Sequence, residues 1–309
     1  NRPMDQIAAM RVFARVVEAG TFTRAADSLQ MPKPTVTKMV QQLETHLRVK
    51  LLQRTTRRVT VTPEGVAYYE RTARVLAELE DIESDLTNAQ ANPRGRLRVD
   101  VGSSLANMIL IPQLPAFHAR YPEIELEIGV GDRPVNLVGD AVDCVIRAGP
   151  LDDQTLVARR IATMPFVTCA TPGYLERHGV PKTPADIGDG RHRVVGYFSS
   201  LSNRPVPLRY GRGEERIEIH GHTVVGVNES TAHLSAMLTG MGLAQTFDLM
   251  AAPYLASGAL VEVLQGFAPE PYPLHVVYPT NRHLSAKLRV FVDWAVELFA
   301  PYDKQRKPR

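Results

Sequence analysis

Residues 13–43 read FARVVEAGTFTRAADSLQMPKPTVTKMVQQL, and this stretch decides the architecture of the N-terminal end. Apolar residues at Ile7, Met10, Phe13, Val16 and Val17 recur at helical spacing and stop at Gly20, which predicts a first helix with one buried face. Thr23 is the expected N-cap of a short second helix ending at Leu29. Ala25 and Ala26 are small enough there for another helix to approach, with Phe22 and Leu29 turned inward. After a turn at 30–33, Pro34 suits the first position of a third helix, where its missing N–H costs no hydrogen bond. Val36, Met39, Val40 and Leu43 supply the inner face of that helix. Lys33, Pro34, Thr35, Thr37, Lys38, Gln41 and Gln42 are left on or near its outer face, and Thr23 and Arg24 stand at the start of the helix before it. Hydroxyl, amide and cationic groups on the first turns of a helix match the donors, acceptors and thymine methyl that base edges present in the major groove. The pattern is a helix-turn-helix, and the expected partner is double-stranded DNA.

Working outward, Leu51, Leu52 and Gln53 predict a short strand and residues 59–62 a second, with residues 54–58 at the tip of a β-ribbon wing. Arg54, Arg57 and Arg58 would stand beside phosphates there, contacts that position a protein and make its binding salt-dependent without reading sequence. Taken singly, each of these arginines reads as a solvated surface charge. Their joint placement after a helix-turn-helix moves the reading toward DNA. Charge supports this: residues 1–62 hold eleven Lys/Arg against four Asp/Glu, whereas residues 63–309 hold 25 against 29. The basic charge is local, as expected of one nucleic-acid-binding end on a nearly neutral chain.

The stretch 13–65 resembles the N-terminal domain of LysR-type transcriptional regulators. The resemblance rests on Gly20-Thr21-Phe22-Thr23, Ala25-Ala26, Val36-Thr37-Lys38, Leu43-Glu44, Leu51-Leu52-Gln53-Arg54-Thr55 and Thr62-Pro63-Glu64-Gly65, in that order. Pro34-Thr35 with Thr37 stands where that family commonly has Ser-Ala and Ser, a departure that bears on which bases are read rather than on DNA binding. The resemblance implies a multidomain regulator with a winged helix-turn-helix domain (1–62), a linker and dimerisation helix (63–91), a hinge (92–95) and an α/β effector domain. RNA polymerase is a further partner in such a reading.

The residues themselves support that division. Between residues 64 and 91 only Gly65 interrupts a helical pattern in which Val66, Tyr69, Ala73, Leu76, Leu79, Ile82 and Leu86 recur every three or four positions. A helix between two domains has no core for that stripe, so a partner helix is expected, and packing on its own effector domain is the lesser alternative. In the resembled family this helix makes a dimer contact and dimers pair into tetramers. The implied assembly is a homodimer or homotetramer through the linker helix and effector domains. Asn92-Pro93-Arg94-Gly95 then stops the helix.

Beyond the hinge, Leu97, Val99 and Val101 alternate with Arg98 and Asp100 in a strand, and Gly102-Ser103-Ser104 turns into a helix running toward Tyr121. A strand at Ile124, Leu126 and Ile128, a helix near 135–139 and a strand at 143–147 repeat the theme, which argues for a mostly parallel α/β sheet. A second unit over about 165–266 has expected strands at 194–197, 217–219 and 243–246, while a strand at 274–278 and a helix at 285–299 close the first. The double crossover, giving two Rossmann-like subdomains of the periplasmic-binding-protein type (96–164 with 267–300, and 165–266), is implied by the resemblance and not by periodicity. Residues 301–309 read as a basic disordered tail.

Ligands of such sheets bind at the carboxyl ends of strands. Ser103 and Ser104 offer hydroxyls and free N–H groups at one expected helix start, and Asn228, Glu229 and Ser230 at another, before a helix expected at 232–241. A helix start suits a small carboxylate or other anion, although plain N-capping accounts for either site alone. The resemblance places both at the cleft between the subdomains. Arg133 and Arg147 follow strands on that side and can pair with a carboxylate; Phe198 and Thr246 are further effector-site candidates, while Glu229 runs against a simple anion site.

Other classes find less support. No Walker loop, G-x-S-x-G elbow or H-E-x-x-H occurs, and Gly129-Val130-Gly131 lacks the third glycine of a dinucleotide fingerprint, so no enzyme activity and no cofactor are expected. His220 and His222 on one expected strand lack an acidic or cysteine partner at metal-binding spacing and read as surface histidines. Cys144 and Cys169, the only cysteines, read as buried strand residues rather than a thiol switch or disulfide pair, which fits a reducing cytoplasm. No apolar run approaches the roughly 20 residues that cross a bilayer, and no signal peptide is apparent, so neither membrane nor periplasmic placement is expected.

Overall fold

The computed structural model describes residues 5–54, 59–86, 93–135, 137, 142–149, 156–200, 202–212, 215–267, 269, 271–279 and 285–303. The chain divides into two units, 1–90 and 91–309.

In the first unit, α1 (Gln6–Ala19) is capped by Asp5, whose carboxylate accepts the Ala8 N–H at 3.0 Å, and ends at Gly20 with φ of 70°. Only glycine adopts that left-handed conformation freely, so the chain turns there. It comes out extended at Thr21, which makes Thr21 and not Thr23 the N-cap of α2 (Phe22–Leu29); the Thr21 hydroxyl accepts the Arg24 N–H at 3.2 Å. Thr23 is instead an exposed residue of the helix's first turn. The third helix, α3 (Lys33–Leu47), begins one residue earlier than Pro34, because Pro32 is already extended and serves as the cap position. Val36, Val40 and Leu43 of α3 meet Val12, Phe13 and Val16 of α1 and Ala25 and Ala26 of α2 in one core, with Phe22, Leu29 and Met39 packed at its margin.

The strands β1 (Leu52–Arg54) and β2 (Val59–Val61) pair antiparallel, Leu52 opposite Val61. The first strand starts one residue later than expected because Leu51 is drawn to α3. Its N–H and that of Leu52 donate to the buried Glu44 carboxylate at 3.0 and 3.1 Å. The fourth helix, α4 (Pro63–Leu86), starts beneath the wing. Thr62 accepts the Gly65 N–H at 2.9 Å and donates to the Lys50 carbonyl at 2.7 Å, bringing Gly65 so close to the Leu51 carbonyl that any β-carbon would collide with it. Tyr68 of α4 packs on Phe13 with ring centroids 5.6 Å apart. Further along α4, Val66, Val75 and Ile82 are 47%, 46% and 53% exposed. Residues 87–91, expected to continue this helix, lie outside the described residues.

The second unit opens with β3 (Gly95–Val101), so Gly95 belongs to a strand rather than to the hinge. A continuous helical run follows: α5 (Ser103–Leu105), a π turn (Ala106–Leu110) and α6 (Ile111–Arg120). Next come β4 (Ile124–Val130), β5 (Cys144–Ala148) and β6 (Leu156–Met164). The helix expected near 135–139 falls largely outside the described residues. The chain crosses at Pro165 into β7 (Phe166–Ala170), α7 (Pro172–His178), α8 (Ala185–Gly188), β8 (Arg193–Tyr197), β9 (Leu208–Arg212) and β10 (Glu215–Ile219). Then follow β11 (His222–Val227), α9 (Ser230–Leu238), β12 (Ala244–Phe247), α10 (Asp248–Ser257) and β13 (Val261–Val263). It returns through β14 (Tyr272–Pro279) and α11 (Ala286–Phe299), whose N-cap is Ser285.

The first subdomain's sheet has the order β4-β3-β5-β14-β6. The β3–β4 and β3–β5 pairs are parallel, whereas β14 is antiparallel to both β5 and β6. The reversal has a plain cause: β14 re-enters from the end at which β6 left, so it must run back against it. The sheet's buried residues and Phe117, Phe291 and Trp294 of α6 and α11 form one core, Phe117 lying 4.8 Å from Trp294 between ring centroids. Each such aromatic contributes about 1.5–3 kcal/mol by burial. In the second subdomain β8 and β11 are parallel, but β7 lies antiparallel between β12 and β13, a departure from the expected parallel pattern. The reason is connectivity: β12 and β13 flank a strand that arrives from the other subdomain.

Two smaller expectations change. Residues 300–302 form a 3-10 turn, with Tyr302 packed on the first subdomain's core and Asp303 3.7 Å from Arg160, so the tail starts later than 301; residues 304–309 lie outside the described residues. His220 falls in the turn before β11, so it and His222 do not share a strand face, and both are exposed.

Candidate DNA interface and ligand cavity

The outer face of α3 carries the groups expected of it. Lys33, Pro34, Thr35, Lys38, Gln41 and Gln42 are exposed and Thr37 is half-buried, because the neighbouring positions Val36, Val40 and Leu43 are spent on the core. Thr23 and Arg24 on α2 are likewise exposed. Lys38, Gln41 and Gln42 line one shallow groove together with Thr45 and His46. These last two were missed in sequence, although spacing contains them: Thr45 is four residues after Gln41, and His46 four after Gln42. The Thr45 hydroxyl donates to the Gln41 carbonyl at 2.8 Å. Arg54 lies on β1, but its side chain and all of Arg57 and Arg58 lie outside the described residues.

In the second unit a cavity of about 270 Å³ lies between the subdomains. Its rim is organised by a carboxylate that sequence reasoning passed over. Asp132, just beyond β4, accepts the Ser103 N–H at 2.8 Å with one oxygen and the Ser230 N–H at 2.5 Å with the other. Each of those N–H groups opens a helix, one in each subdomain. The Tyr197 hydroxyl lies 3.4 Å from the same carboxylate and donates to the Asn228 carbonyl at 3.2 Å. Burial pushes the Tyr197 hydroxyl's pKa well up, and the adjacent Asp132 charge pushes it further, so it stays a donor. The Ser104 N–H donates to the Ser230 hydroxyl at 3.1 Å, a second link across the cleft.

Glu229 is the N-cap of α9, accepting the Thr231 and Ala232 N–H groups at 3.1 and 2.7 Å. Burial raises its pKa, but hydrogen bonds from Ala232, Thr231 and Ser103 outweigh that and the net shift is downward. Arg147 pairs with Asp100 and donates to the carbonyls of Arg133 and Ile146 at 3.2 and 3.1 Å. The cavity's apolar side is aromatic: Phe166 lies 4.5 Å from Phe247 and 4.8 Å from Tyr272 between ring centroids.

Comparison with known proteins matches both parts. Residues 7–66 fit the model of the bacterial regulatory helix-turn-helix protein, lysR family, and residues 90–300 that of the LysR substrate binding domain. The chain belongs to the LysR family. It is 38% identical over 297 residues to an HTH-type transcriptional repressor of Pseudomonas aeruginosa, covering 96% of this chain and 93% of that protein. It is also 38% identical over 301 residues to the uncharacterized HTH-type transcriptional regulator YhjC of Escherichia coli, covering 97% and 99%. Among solved structures it resembles CrgA, a LysR-type transcriptional regulator from Neisseria meningitidis, with a TM-score of 0.58 and 30% identity over 94% of this chain and 97% of that one.

This LysR-type protein is therefore a DNA-binding transcriptional regulator with an effector-binding domain. Its effector-site candidates separate into two groups. Ser104, Arg147, Ser230 and Thr246 line the cavity. Arg133, Asn228 and Glu229 line an adjoining depression, which shares Asp132 and Arg147 with it. Ser103 stands between them, its N–H on Asp132. Phe198 lines neither: alternation along the extended chain points Tyr197 into the cavity and Phe198 away from it. Tyr197, Gln245, His233 and the three aromatic rings were missed because they come from strands and a helix far apart in sequence. Asp132 was the legible one, as the neighbour of Arg133 at a strand's carboxyl end. Both cysteines are fully buried, and burial with the Asp143 charge pushes the Cys144 thiol's pKa up, away from thiolate reactivity.

Proposed function

We propose that the cavity between the two subdomains is where an effector acts, and that its occupancy sets the arrangement in which the regulator grips promoter DNA. The observation that carries this reading is the Asp132 carboxylate, which holds the first N–H of a helix in each subdomain. A ligand that binds one spacing of the two helix starts better than another shifts the protein between states by its difference in affinity. The domain division 1–62, 63–91, 92–94 and 95–303, with the two subdomains meeting at about 165 and 266, is the matching proposal. So are a cytoplasmic location, and a homodimer or homotetramer through α4 and the effector domains, with RNA polymerase as the partner when transcription is activated. The exposed apolar residues of α4 support the assembly, and no described helix is long and apolar enough to cross a membrane.

The carboxylate ligand expected from sequence fits less well. Both helix starts that were to hold it already hold Asp132, and the next N–H groups of α9 hold Glu229.

The test is retention of a duplex from just upstream of the protein's own gene, by mobility shift against excess scrambled duplex at two salt concentrations. Selective retention that weakens with salt is expected. If no genomic fragment is enriched over scrambled DNA, with or without metabolite extract, the regulator reading of the first unit fails.

A further inference from the structure

Two polar atoms at the cavity have no hydrogen-bond partner among the described residues. Ser104 is 2% exposed and His233 is 4% exposed, and both line the cavity. The Ser104 backbone N–H donates to the Ser230 hydroxyl at 3.1 Å, and no hydrogen bond of the Ser104 hydroxyl itself is found among the described residues. The His233 Nε2 sits 2.9 Å from the Val195 carbonyl and so carries the proton. Burial lowers the His233 pKa, with the Val195 contact opposing, so the ring is neutral and Nδ1 is left as an acceptor. A hydroxyl and a ring nitrogen that line a cavity without protein partners suit a guest that carries its own hydrogen-bonding groups.

Charge narrows what that is. Asp132 and Glu229 already occupy the helix starts, and Arg147 is committed to Asp100 and two carbonyls. Arg133, the other cation nearby, is exposed and lines the adjoining depression rather than the cavity. An anionic guest would meet the Asp132 carboxylate at short range in a partly desolvated space with no uncommitted cation among the described lining residues. The walls opposite are Leu105, Phe166, Val195, Phe247 and Met250.

Resting on the effector reading above, we infer that the cavity takes an uncharged small molecule with a flat apolar body and a hydrogen-bond-donating head, received by His233 Nδ1 and the Ser104 hydroxyl, in preference to an anion. The Phe166, Phe247 and Tyr272 rings receive the flat body, since ring faces and edges suit an aromatic guest.

Three probes of nearly one shape separate the possibilities: benzamide, which is neutral and donates; N,N-dimethylbenzamide, which is neutral and only accepts; and benzoate, which is anionic. Each is titrated calorimetrically into the full chain. Benzamide is expected to bind at least about tenfold more tightly than the other two. Ser104→Ala, a nearly isosteric change, should weaken benzamide ~3- to 10-fold in protein whose urea unfolding matches that of the unsubstituted chain. Asp132→Asn should raise the affinity for benzoate relative to the unsubstituted chain. Benzoate binding more tightly than benzamide, or dimethylbenzamide matching it, overturns the ligand class and leaves the cavity reading standing. Unchanged benzamide affinity in Ser104→Ala overturns the assigned head position. If no probe binds to protein that still retains operator DNA, the cavity reading fails and this inference with it.

Discussion

Glu44 tests whether the wing is held by the recognition helix. Its side chain is 5% exposed and accepts the N–H groups of Leu51 and Leu52 and the ammonium of Lys50, at 3.0, 3.1 and 2.8 Å. Glu44→Ala leaves two buried backbone donors without an acceptor, at ~1–3 kcal/mol each, so a loss of about 2–6 kcal/mol is expected. For a unit of this size that lowers the unfolding midpoint by roughly 10 °C or more. Glu44→Gln keeps an oxygen for the two N–H groups and loses only the pairing with a lysine that is 77% exposed, worth about 1 kcal/mol or less. Burial raises the Glu44 pKa, but hydrogen bonds from Lys50, Leu52 and Leu51 outweigh it, and the net shift is below the usual 4.5. A carboxyl with a depressed folded-state pKa stabilises above its unfolded value and loses that contribution as pH falls through the folded one. The wild-type advantage over Glu44→Gln should therefore shrink below pH 4.5. Urea unfolding of the full chain by circular dichroism gives the stability, and operator retention reports on the first unit. A Glu44→Ala variant within about 0.5 kcal/mol of wild type, or a Glu44→Gln variant equally damaged, would refute the reasoning.

Lys38→Ala should weaken operator binding, and Arg57→Ala or Arg58→Ala should lower the salt slope by about one, equally on any sequence; unchanged slopes in both wing variants would remove the wing from the interface. Gly65→Ala should destabilise the first unit, by about 1–3 kcal/mol in urea unfolding, because its β-carbon meets the Leu51 carbonyl and Val61; wild-type stability would show that the wing relaxes freely. Ile82→Glu places a charge at an exposed apolar position of α4 and should shift sedimentation toward smaller species, whereas an unchanged assembly would locate the contact elsewhere.

The first unit was largely legible because its signals are local. An apolar residue at every third or fourth position specifies helices whatever lies far away, Gly20 marks the first stop, and the pattern leaves the outer residues of α3 in view. Errors there were of one or two residues, as at Thr23 and Pro34, where caps depend on the conformation of the residue before. The second unit was legible as alternating strands and helices, but not in strand direction. The direction of β14 is fixed by the end at which β6 leaves, and no local pattern records that.

The sequence by itself determined the helix-turn-helix, the long apolar stripe of α4, the local basic charge and the family. Each is written in neighbouring residues, through periodicity, capping and composition. Only the tertiary structure decided the cavity. Ser104, Asp132, Tyr197, His233 and Thr246 come from separate segments, and folding alone brings them together. It also decided that the protein's own Asp132 carboxylate fills the two helix starts expected to take an anion. The partner of a helix-terminal N–H is chosen by whatever the fold carries within 3 Å of it, and that proximity is a property of space rather than of sequence.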